Sequence, residues 1–375
     1  MDMRCAIVHY WLLSMRGGEK VIEALCRILP DADIYTLFYE PELVSPVIRS
    51  HRIRASFLNP LRRYYRSLLP VMPVALEYFD LREYDLVISS ESGPAKGVIT
   101  ASNTRHICYC HSPMRYLWDL YSAYLHDWVR WNFKQYAMSL ATNYLRLWDY
   151  ASAARVDEFV ANSRNVQKRI WKAYRRTSRV IYPPVAVDSF YTLPPEDYYL
   201  VVSELVSYKR VVDAVCCFSE LRRKLKIVGS GPEYAKLKRI AGPSIEFLGR
   251  VSDAELRELY ARCRAVVMPG EEDFGIVPVE AMASGKPVIA AAGGGVLESV
   301  PEYNPRAGFL YKPWGMEALK SAVERFEREE RSLSPSAIRG VALHFSEQRF
   351  REEMTGLLLT NDQEDAATQH EYSLR

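Results

Sequence analysis

The chain lacks any long apolar run, any strong excess of one charge and any paired cysteine pattern. Its 375 residues carry a formal net charge of +3, so bulk charge gives no indication of nucleic-acid binding. No window reaches the ~18 uninterrupted apolar residues that would span a bilayer. The apolar run at 5–8 is short, so we expect no export signal and a cytoplasmic protein. Seven cysteines are an odd number, and Cys110 with His111 has no second Cys/His pair at zinc spacing, so we expect free thiols and no metal site.

Two common phosphate-binding fingerprints are missing as well. The strand-like run 5–8 leads into an amphipathic segment, 19–26, without a G-x-G-x-x-G, and no Walker A loop occurs. This counts against a nucleotide-cofactor oxidoreductase or epimerase, which remains the alternative enzyme class. Gly17 and Gly18 at the start of the helix let a ligand approach the backbone closely, although a plain turn explains them as well.

Strand-like runs alternate with helical segments through both halves of the chain. This pattern predicts an α/β protein with two doubly wound, Rossmann-like domains facing a cleft. We expect helices at 164–174 and 211–221, and a run at 159–163 as the last strand of the first domain. Two prolines at 183–184 place the boundary. The expected parts are domains over 1–183 and 184–345, a helix over 346–360 and a disordered tail over 361–375.

The most informative stretch runs from 265 to 292. It predicts a strand, an acidic glycine-bounded loop at 270–275, a short helix closed by Gly285 at its C′ position, and a further strand. The amides of Phe274, Gly275 and Ile276 at the start of the helix suit a diphosphate. Glu272 and Glu280 lie on either side of them and suit hydroxyl groups. A nucleotide sugar has this layout of sugar, diphosphate and ribose.

Further candidates follow other strand-like runs. Lys209 and Arg210 precede the 211–221 helix, where two cations join the positive end of the helix dipole. Gly229 opens a glycine loop after a strand, and Gly293–Gly295 form another loop of close backbone approach. His111, followed by Ser-Pro, ends a strand and is expected at the carboxyl edge of the sheet.

The stretch from Glu272 to Glu280 resembles the E-x7-E signature of the retaining glycosyltransferases of family 4, which have the GT-B fold. The run around His111 is similar to a subgroup that contains bacterial mannosyltransferases of surface-polysaccharide assembly. The resemblance implies that Glu272 contacts sugar hydroxyls, Glu280 the ribose and His111 the transferred sugar. It also implies the remaining donor contacts, namely Lys209 with the diphosphate, Gly17 and Gly18 near the phosphates and acceptor, the Gly229 loop near the ribose-phosphate and Val251 near the base.

The same resemblance implies an activity. It is the retaining transfer of a hexose, mannose from GDP-mannose in the first instance, to a lipid-linked or glycan acceptor in polysaccharide biosynthesis, without a metal or other cofactor. The family often has an arginine where this chain has Glu204, which leaves the second phosphate cation open, with Arg210 as the candidate. The first domain is expected on the acceptor side, with the last helix crossing back onto it. A bilobal nucleotide-sugar-binding protein without catalysis is the other alternative.

A basic and aromatic stretch over 52–72 allows two interpretations. Its arginines alternate with apolar side chains, which suits a short helix lying on the anionic inner face of the plasma membrane. An ordinary surface helix with solvated arginines explains the same pattern. We therefore expect a cytoplasmic protein, with peripheral membrane association as the open question.

Overall fold

The chain divides into two compact units. In the computed structural model, residues 3–121 and 132–359 are described, and the side chains of 132–138 are not. One unit combines the residues up to Tyr182 with those from Phe350, and the other covers Pro183–Arg349. The tail expected over 361–375 lies outside the described residues.

The first unit is built on a seven-stranded parallel sheet in the order β3-β2-β1-β4-β5-β6-β7. The strands are β1 (Cys5–Leu12), β2 (Asp33–Tyr39), β3 (Ile53–Ala55), β4 (Leu86–Glu91), β5 (Arg105–Cys110), β6 (Glu158–Ala161) and β7 (Arg179–Val180). The helices are α1 (Gly17–Ile28), α2 (Pro46–Arg49), α3 (Met72–Glu77), α4 (Asn132–Ser152) and α5 (Arg164–Tyr174). The strand order reverses between β1 and β4, which defines a doubly wound sheet.

Both faces of this sheet are buried, as parallel sheets require. Along β1, Cys5 and Ile7 pack with α1 into one apolar cluster, whereas Ala6, Val8 and Tyr10 pack into a second on the opposite face. This alternation follows from the two-residue period of a strand.

The second unit repeats the design with a six-stranded parallel sheet in the order β10-β9-β8-β11-β12-β13. The strands are β8 (Tyr199–Val202), β9 (Leu225–Val228), β10 (Ile245–Gly249), β11 (Val266–Met268), β12 (Val288–Ala291) and β13 (Gly308–Tyr311). The helices are α6 (Val211–Leu221), α7 (Tyr234–Ile240), α8 (Asp253–Arg262), α9 (Ile276–Ala283), α10 (Val296–Ser299), α11 (Met316–Glu329) and α12 (Pro335–Ala342). The order reverses between β8 and β11. The predicted pair of doubly wound Rossmann-like folds is therefore confirmed.

Several local predictions are confirmed and one is wrong. The helices predicted at 164–174 and 211–221 have those bounds, and the Ser163 hydroxyl caps the first by accepting from the Val166 amide. The strand at 159–163 is not the last of its sheet, because the short β7 pairs beyond it. The basic stretch forms the expected short helix, which is a 3-10 helix over Asn59–Val71 with Pro70 inside it.

A helix over 347–359 closes the described chain. Its residues Phe350, Met354 and Leu357 are buried in the α1-side cluster of the first unit. The ring of Phe350 meets Tyr109 of β5 edge to face, 5.7 Å between centroids. Among the described residues, no helix is both long and apolar enough to cross a membrane. The seven cysteines are all free, and six of them are buried.

A buried charge cluster joins β4 to α4. The Lys96 ammonium contacts the Asp149 carboxylate and lies 3.5 Å from Glu91 Oε1, and all three side chains are fully buried. Asp149 also accepts hydrogen bonds from Trp118 Nε1 at 2.8 Å and Tyr174 OH at 2.9 Å. One ammonium faces two carboxyl groups, and burial raises the pKa of Glu91 to about 7.

The raised pKa of Glu91 predicts a pH-dependent stability. The folded state holds this proton more tightly than the unfolded chain, so the free energy of unfolding should fall as pH rises from about 4.5 to about 7. Urea denaturation across this range should show a steeper fall in the wild type than in Glu91→Gln, by about 3 kcal/mol at most. Glu42→Gln, at an exposed position, is the control and should parallel the wild type. Parallel curves for wild type and Glu91→Gln would contradict the assignment.

Candidate active site

Polar residues gather at the carboxyl ends of β1, β4 and β5 in the first unit. His9 of β1 lies opposite Ser90 of β4, and its Nδ1 is 3.0 Å from the Ser90 carbonyl oxygen. His111 follows β5, and its Nε2 is 2.8 Å from the Ser90 hydroxyl. Because the strand order reverses between β1 and β4, these residues occupy the position where open α/β sheets bind ligands.

The glycine pair lies directly beside these histidines. Gly17 and Gly18 form the first two residues of α1. A Cβ on Gly18 would lie 3.5 Å from His9 Cε1 and 3.7 Å from His111 Nε2. The structure thus brings together Gly17, Gly18 and His111, as their positions after strands suggested.

Burial sets the charge of this group. His9 is fully buried, and burial, followed by the nearby His111, lowers the pKa of His9 to about 3. Burial also raises the pKa of Glu19, whose Oε2 accepts a hydrogen bond from the Arg16 amide at 2.9 Å. His9 is therefore a neutral imidazole at pH 7.

In the second unit, a cation and a carboxylate meet at the corresponding place. Lys209 ends a 3-10 turn after β8, Glu272 follows β11, and Nζ and Oε2 lie 2.5 Å apart. Their side chains are 13% and 25% exposed. A Cβ on Gly270 would lie 2.6 Å from the Lys209 carbonyl oxygen, so only glycine permits this close packing.

The acidic loop is fixed to the glycine loop that follows β12. Glu272 forms a parallel bridge with Gly294, and the Gly295 amide donates to the Glu272 carbonyl at 2.9 Å. Gly294 has φ +66°, and a Cβ there would lie 2.1 Å from the Glu272 carbonyl oxygen. The close backbone approach predicted for Gly293–Gly295 is thus directed at the loop that carries Glu272.

Helix α9 begins directly after this loop. Gly275 precedes it with φ +87°, and Phe274 is buried with its ring 5.4 Å from that of Phe345. The first amides of an α-helix, here from Ile276 onward, have no acceptor within the helix. At the other end, the Gly285 amide donates to Met282 at 2.8 Å with φ +69°, which confirms the predicted C′ glycine.

Glu280 lies inside α9 and is 5% exposed. Its Oε2 accepts a hydrogen bond from Tyr260 OH of α8 at 2.9 Å. Burial, with Glu280 as the next cause, raises the pKa of Tyr260 well above its ordinary value, so the phenol keeps its proton and remains the donor.

The remaining predicted donor residues also lie in the second unit. Arg210 precedes α6 with φ +53°, and its Nε donates to Asp213 Oδ2 at 2.8 Å. Gly229 has φ +136°, and a Cβ there would lie 1.8 Å from the Ser203 carbonyl oxygen. Val251 is half-buried between β10 and α8. Among the described residues, no three His, Cys, Asp or Glu side chains are grouped as metal ligands.

Two family models match successive parts of the chain. The model of Glycosyltransferase Family 4 matches residues 15–189, and the model of Glycosyl transferases group 1 matches residues 192–338. Solved structures show the same fold. The chain has a TM-score of 0.72 with sucrose-phosphate synthase from Thermosynechococcus elongatus, at 19% identity over 97% of this chain and 100% of that one. The TM-score with Anabaena HepE in complex with UDP-glucose is 0.68, at 18% identity over 94% of this chain and 99% of that one.

The fold and both halves of the chain define a glycosyltransferase of GT-B fold. Within that class, the chain belongs to the family 4-like glycosyltransferases.

Curated relatives match over different lengths. Arabidopsis thaliana sulfoquinovosyl transferase SQD2 is 34% identical over 31% of this chain and 24% of its own length. Human alpha-1,3/1,6-mannosyltransferase ALG2 is 26% identical over 72% of each chain. The GDP-mannose-dependent alpha-mannosyltransferase of Mycolicibacterium smegmatis is 39% identical over 32% of this chain and 31% of its own length. The match to SQD2 thus spans about a quarter of that protein.

Five residues that contribute to the site's geometry were not singled out from the sequence. They are His9, Glu19, Ser90, Asp213 and Tyr260. His9 ends an apolar run next to a glycine pair, which is a usable signal. Tyr260 gives none, because its contact with Glu280 joins two helices.

The close contact between Gly294 and the acidic loop predicts that two glycine substitutions will lower the free energy of unfolding by unequal amounts. Gly294→Ala should lower the free energy of unfolding by about 3 kcal/mol or more, because backbone strain and displacement of the Glu272 loop add together. Gly249→Ala is the matched control, since Gly249 has φ +68° but no atom within 4 Å of a built Cβ. It should cost only about 1–2 kcal/mol of strain. If urea denaturation gives the same loss of unfolding free energy for both variants, the Glu272 loop moves aside without an energetic penalty and the prediction is wrong.

Proposed function

We propose that this protein transfers a hexosyl group from a nucleoside-diphosphate sugar to a hydroxyl acceptor, with retention at the anomeric carbon. The observation that carries the proposal is the Lys209–Glu272 pair at the β8/β11 reversal, next to the start of α9. An ammonium and a helix N-terminus attract a diphosphate, and a carboxylate accepts hydrogen bonds from sugar hydroxyls.

The predicted donor-binding residues of the second unit each have a role in this proposal. Lys209 and the Phe274–Ile276 amides hold the diphosphate, and Glu272 turns to the sugar once a donor occupies Lys209. Arg210 joins them only by leaving Asp213. Glu280 holds the ribose, and the loops at Gly229 and Val251 border the ribose-phosphate and the base.

The bond changes need no nucleophile from the protein. The bond between the anomeric carbon and the diphosphate oxygen breaks, and the acceptor oxygen bonds to that carbon on the same face. The acceptor proton passes to the departing diphosphate. The protein orients the reactants and stabilises the charge that develops on the diphosphate. In this proposal no divalent metal is required, so activity should survive dialysis against EDTA.

We propose GDP-mannose as the donor. Support comes from two relatives whose names specify mannosyl transfer, one of them GDP-mannose-dependent. The proposed acceptor is a lipid-linked or glycan hydroxyl in polysaccharide biosynthesis, and His111 contacts the transferred sugar.

We further propose that the 52–72 stretch lies on an anionic membrane surface at the cytoplasmic side. Phe57, Leu61 and Tyr64 are 56%, 48% and 66% exposed. Arg63 and Arg66 are exposed beside them, whereas Arg62 is paired with Glu40 at 2.6 Å. Exposed apolar rings between cations suit the interface of a bilayer.

A donor panel tests the proposed reaction. Purified protein is incubated with GDP-mannose, UDP-glucose or UDP-galactose, and both transfer to methyl α-mannoside and release of nucleoside diphosphate are measured. Proton NMR of the product reports the anomeric configuration. Transfer from GDP-mannose with retention is expected. Preference for a uridine donor would overturn the assigned donor, and an inverted product would overturn the assigned stereochemistry.

The two glutamates should fail differently. Glu280→Gln should weaken donor and free GDP alike, by about 10-fold, because a ribose contact is present in ground and transition states. Glu272→Gln should lower kcat without weakening free GDP, because Glu272 contacts the sugar as the bond breaks and its carboxylate otherwise competes with the diphosphate for Lys209. Calorimetry with GDP beside steady-state kinetics with GDP-mannose separates the two. Equal loss of GDP affinity in both variants would show that Glu272 does not contact the sugar as assigned.

Vesicle binding tests the membrane proposal. Sedimentation with anionic vesicles should weaken as salt rises, because charges are screened within about 8 Å at physiological ionic strength. The double variant Arg63→Glu/Arg66→Glu should bind less, and Lys224→Glu, an exposed position in the second unit, should bind like the wild type. Equal binding to neutral vesicles, or none to either kind, would remove the proposal.

A further inference from the structure

His9 has a buried nitrogen that the proposed roles leave unused. Its Nδ1 is 3.0 Å from the carbonyl oxygen of Ser90. A carbonyl oxygen can only accept, so Nδ1 carries the hydrogen of the neutral ring. Nε2 is therefore a bare lone pair, an acceptor without a proton.

This lone pair has no partner among the described residues. Nε2 of His9 is fully buried and makes no hydrogen bond there. The nearest charged atom is Glu19 Oε1 at 4.0 Å, and a carboxylate oxygen is also an acceptor. The Ser14 hydroxyl donates to Glu19 Oε1 at 3.4 Å, but no donor of the described residues reaches His9 Nε2. A buried acceptor left unpaired in this way is unfavourable and suits a ligand that brings a hydroxyl hydrogen.

The same two rings border Gly18. The distances from a built Cβ on Gly18 place His9 Cε1 and His111 Nε2 against the same backbone position. Ser90 orients both rings, because its carbonyl holds His9 and its hydroxyl holds His111. A hydroxyl at His9 would therefore lie next to the group held by His111.

The charge state limits what His9 can do there. The groups that face it are Glu19, His111, Tyr10 and the Ser90 carbonyl. Burial keeps the imidazole neutral at pH 7, and a base so weak takes no proton from an alcohol. It can accept a hydrogen bond from a hydroxyl that does not react.

We propose that His9 Nε2 is a specificity determinant that accepts a hydrogen bond from a non-reacting hydroxyl of the acceptor sugar. The proposal rests on the transfer reaction proposed above. The attacking hydroxyl gives its proton to the departing diphosphate, so the hydroxyl at His9 is a different one. The acceptor must then be a polyol, with a hydroxyl next to the attacking oxygen.

A comparison of matched acceptors tests this role. The acceptors are methyl α-mannoside and its 2-, 3-, 4- and 6-deoxy analogues, with GDP-mannose and UDP-glucose as donors. One deoxy analogue should lose about 10-fold or more in kcat/KM with the wild type, because the buried acceptor is left unpaired. His9→Asn keeps a donor for the Ser90 carbonyl but removes Nε2, so it should transfer to this analogue and to the parent glycoside equally well.

The control is His106→Asn. His106 is equally buried, but its Nε2 is 2.8 Å from the Ser89 hydroxyl and its Nδ1 is 3.3 Å from the Arg155 carbonyl. This variant should keep the wild-type discrimination among deoxy analogues. A general loss of stability would lower transfer to all acceptors together and would not change the discrimination.

The outcomes separate the two proposals. If the wild type neither hydrolyses nor transfers either donor, the proposed function fails. The His9 assignment is overturned if the wild type transfers to all the deoxy analogues equally well, or if it transfers only to water. It is also overturned if His9→Asn still discriminates among the analogues as the wild type does. Nitrogen-15 NMR of labelled histidine decides the tautomer without activity: the resonance lost in His9→Asn should show a bare Nε2 at pH 7, and a protonated Nε2 would overturn it.

Discussion

Parallel pairing with one reversal of strand order is the constraint on which both halves of this protein depend. A parallel strand delivers its carboxyl end to the same edge as its neighbours, and the chain leaves in opposite directions on the two sides of the reversal. In the first unit this opens the sheet edge between β1 and β4, where His9 and Ser90 lie. In the second it does so between β8 and β11, where Lys209 and Glu272 meet. The residues are far apart in sequence, and the sheet alone brings them together.

Glycine contacts then fix the loops that the sheet edge presents. Gly270 packs on the Lys209 backbone, and Gly294 and Gly295 hold the backbone of Glu272. Side chains at these positions would collide with carbonyl oxygens, so the acidic loop has little freedom in the unbound protein. A loop backbone held by these contacts, with a carboxylate that is 25% exposed, suits a site in which orientation supplies much of the rate.

The charged and titratable groups of this protein differ in how deeply they are buried, and the degree of burial determines what each group can do. Lys96, Glu91 and Asp149 are fully buried, and the ammonium pairs with both carboxyl groups, which ties α4 to the sheet. Lys209 and Glu272 are paired but partly exposed, so a ligand phosphate can replace one partner without leaving an uncompensated charge in the interior. His9 belongs to neither group, since it is buried and neutral with one nitrogen unused.

The local elements could be predicted from the amino-acid sequence alone. Strand-length apolar runs, helices at 164–174 and 211–221 and the C′ glycine at 285 follow from nearest-neighbour chemistry, and the spacing of Glu272 and Glu280 pointed to the family. The 3-10 type of the helix in the basic stretch and the pairing of β7 were not predictable, because packing and edge pairing override local propensity. Tertiary packing alone brings Tyr260 to Glu280 and the Ser90 carbonyl to His9. The first contact depends on the packing of two helices and the second on the pairing of strands that are far apart in the sequence, and local sequence patterns specify neither.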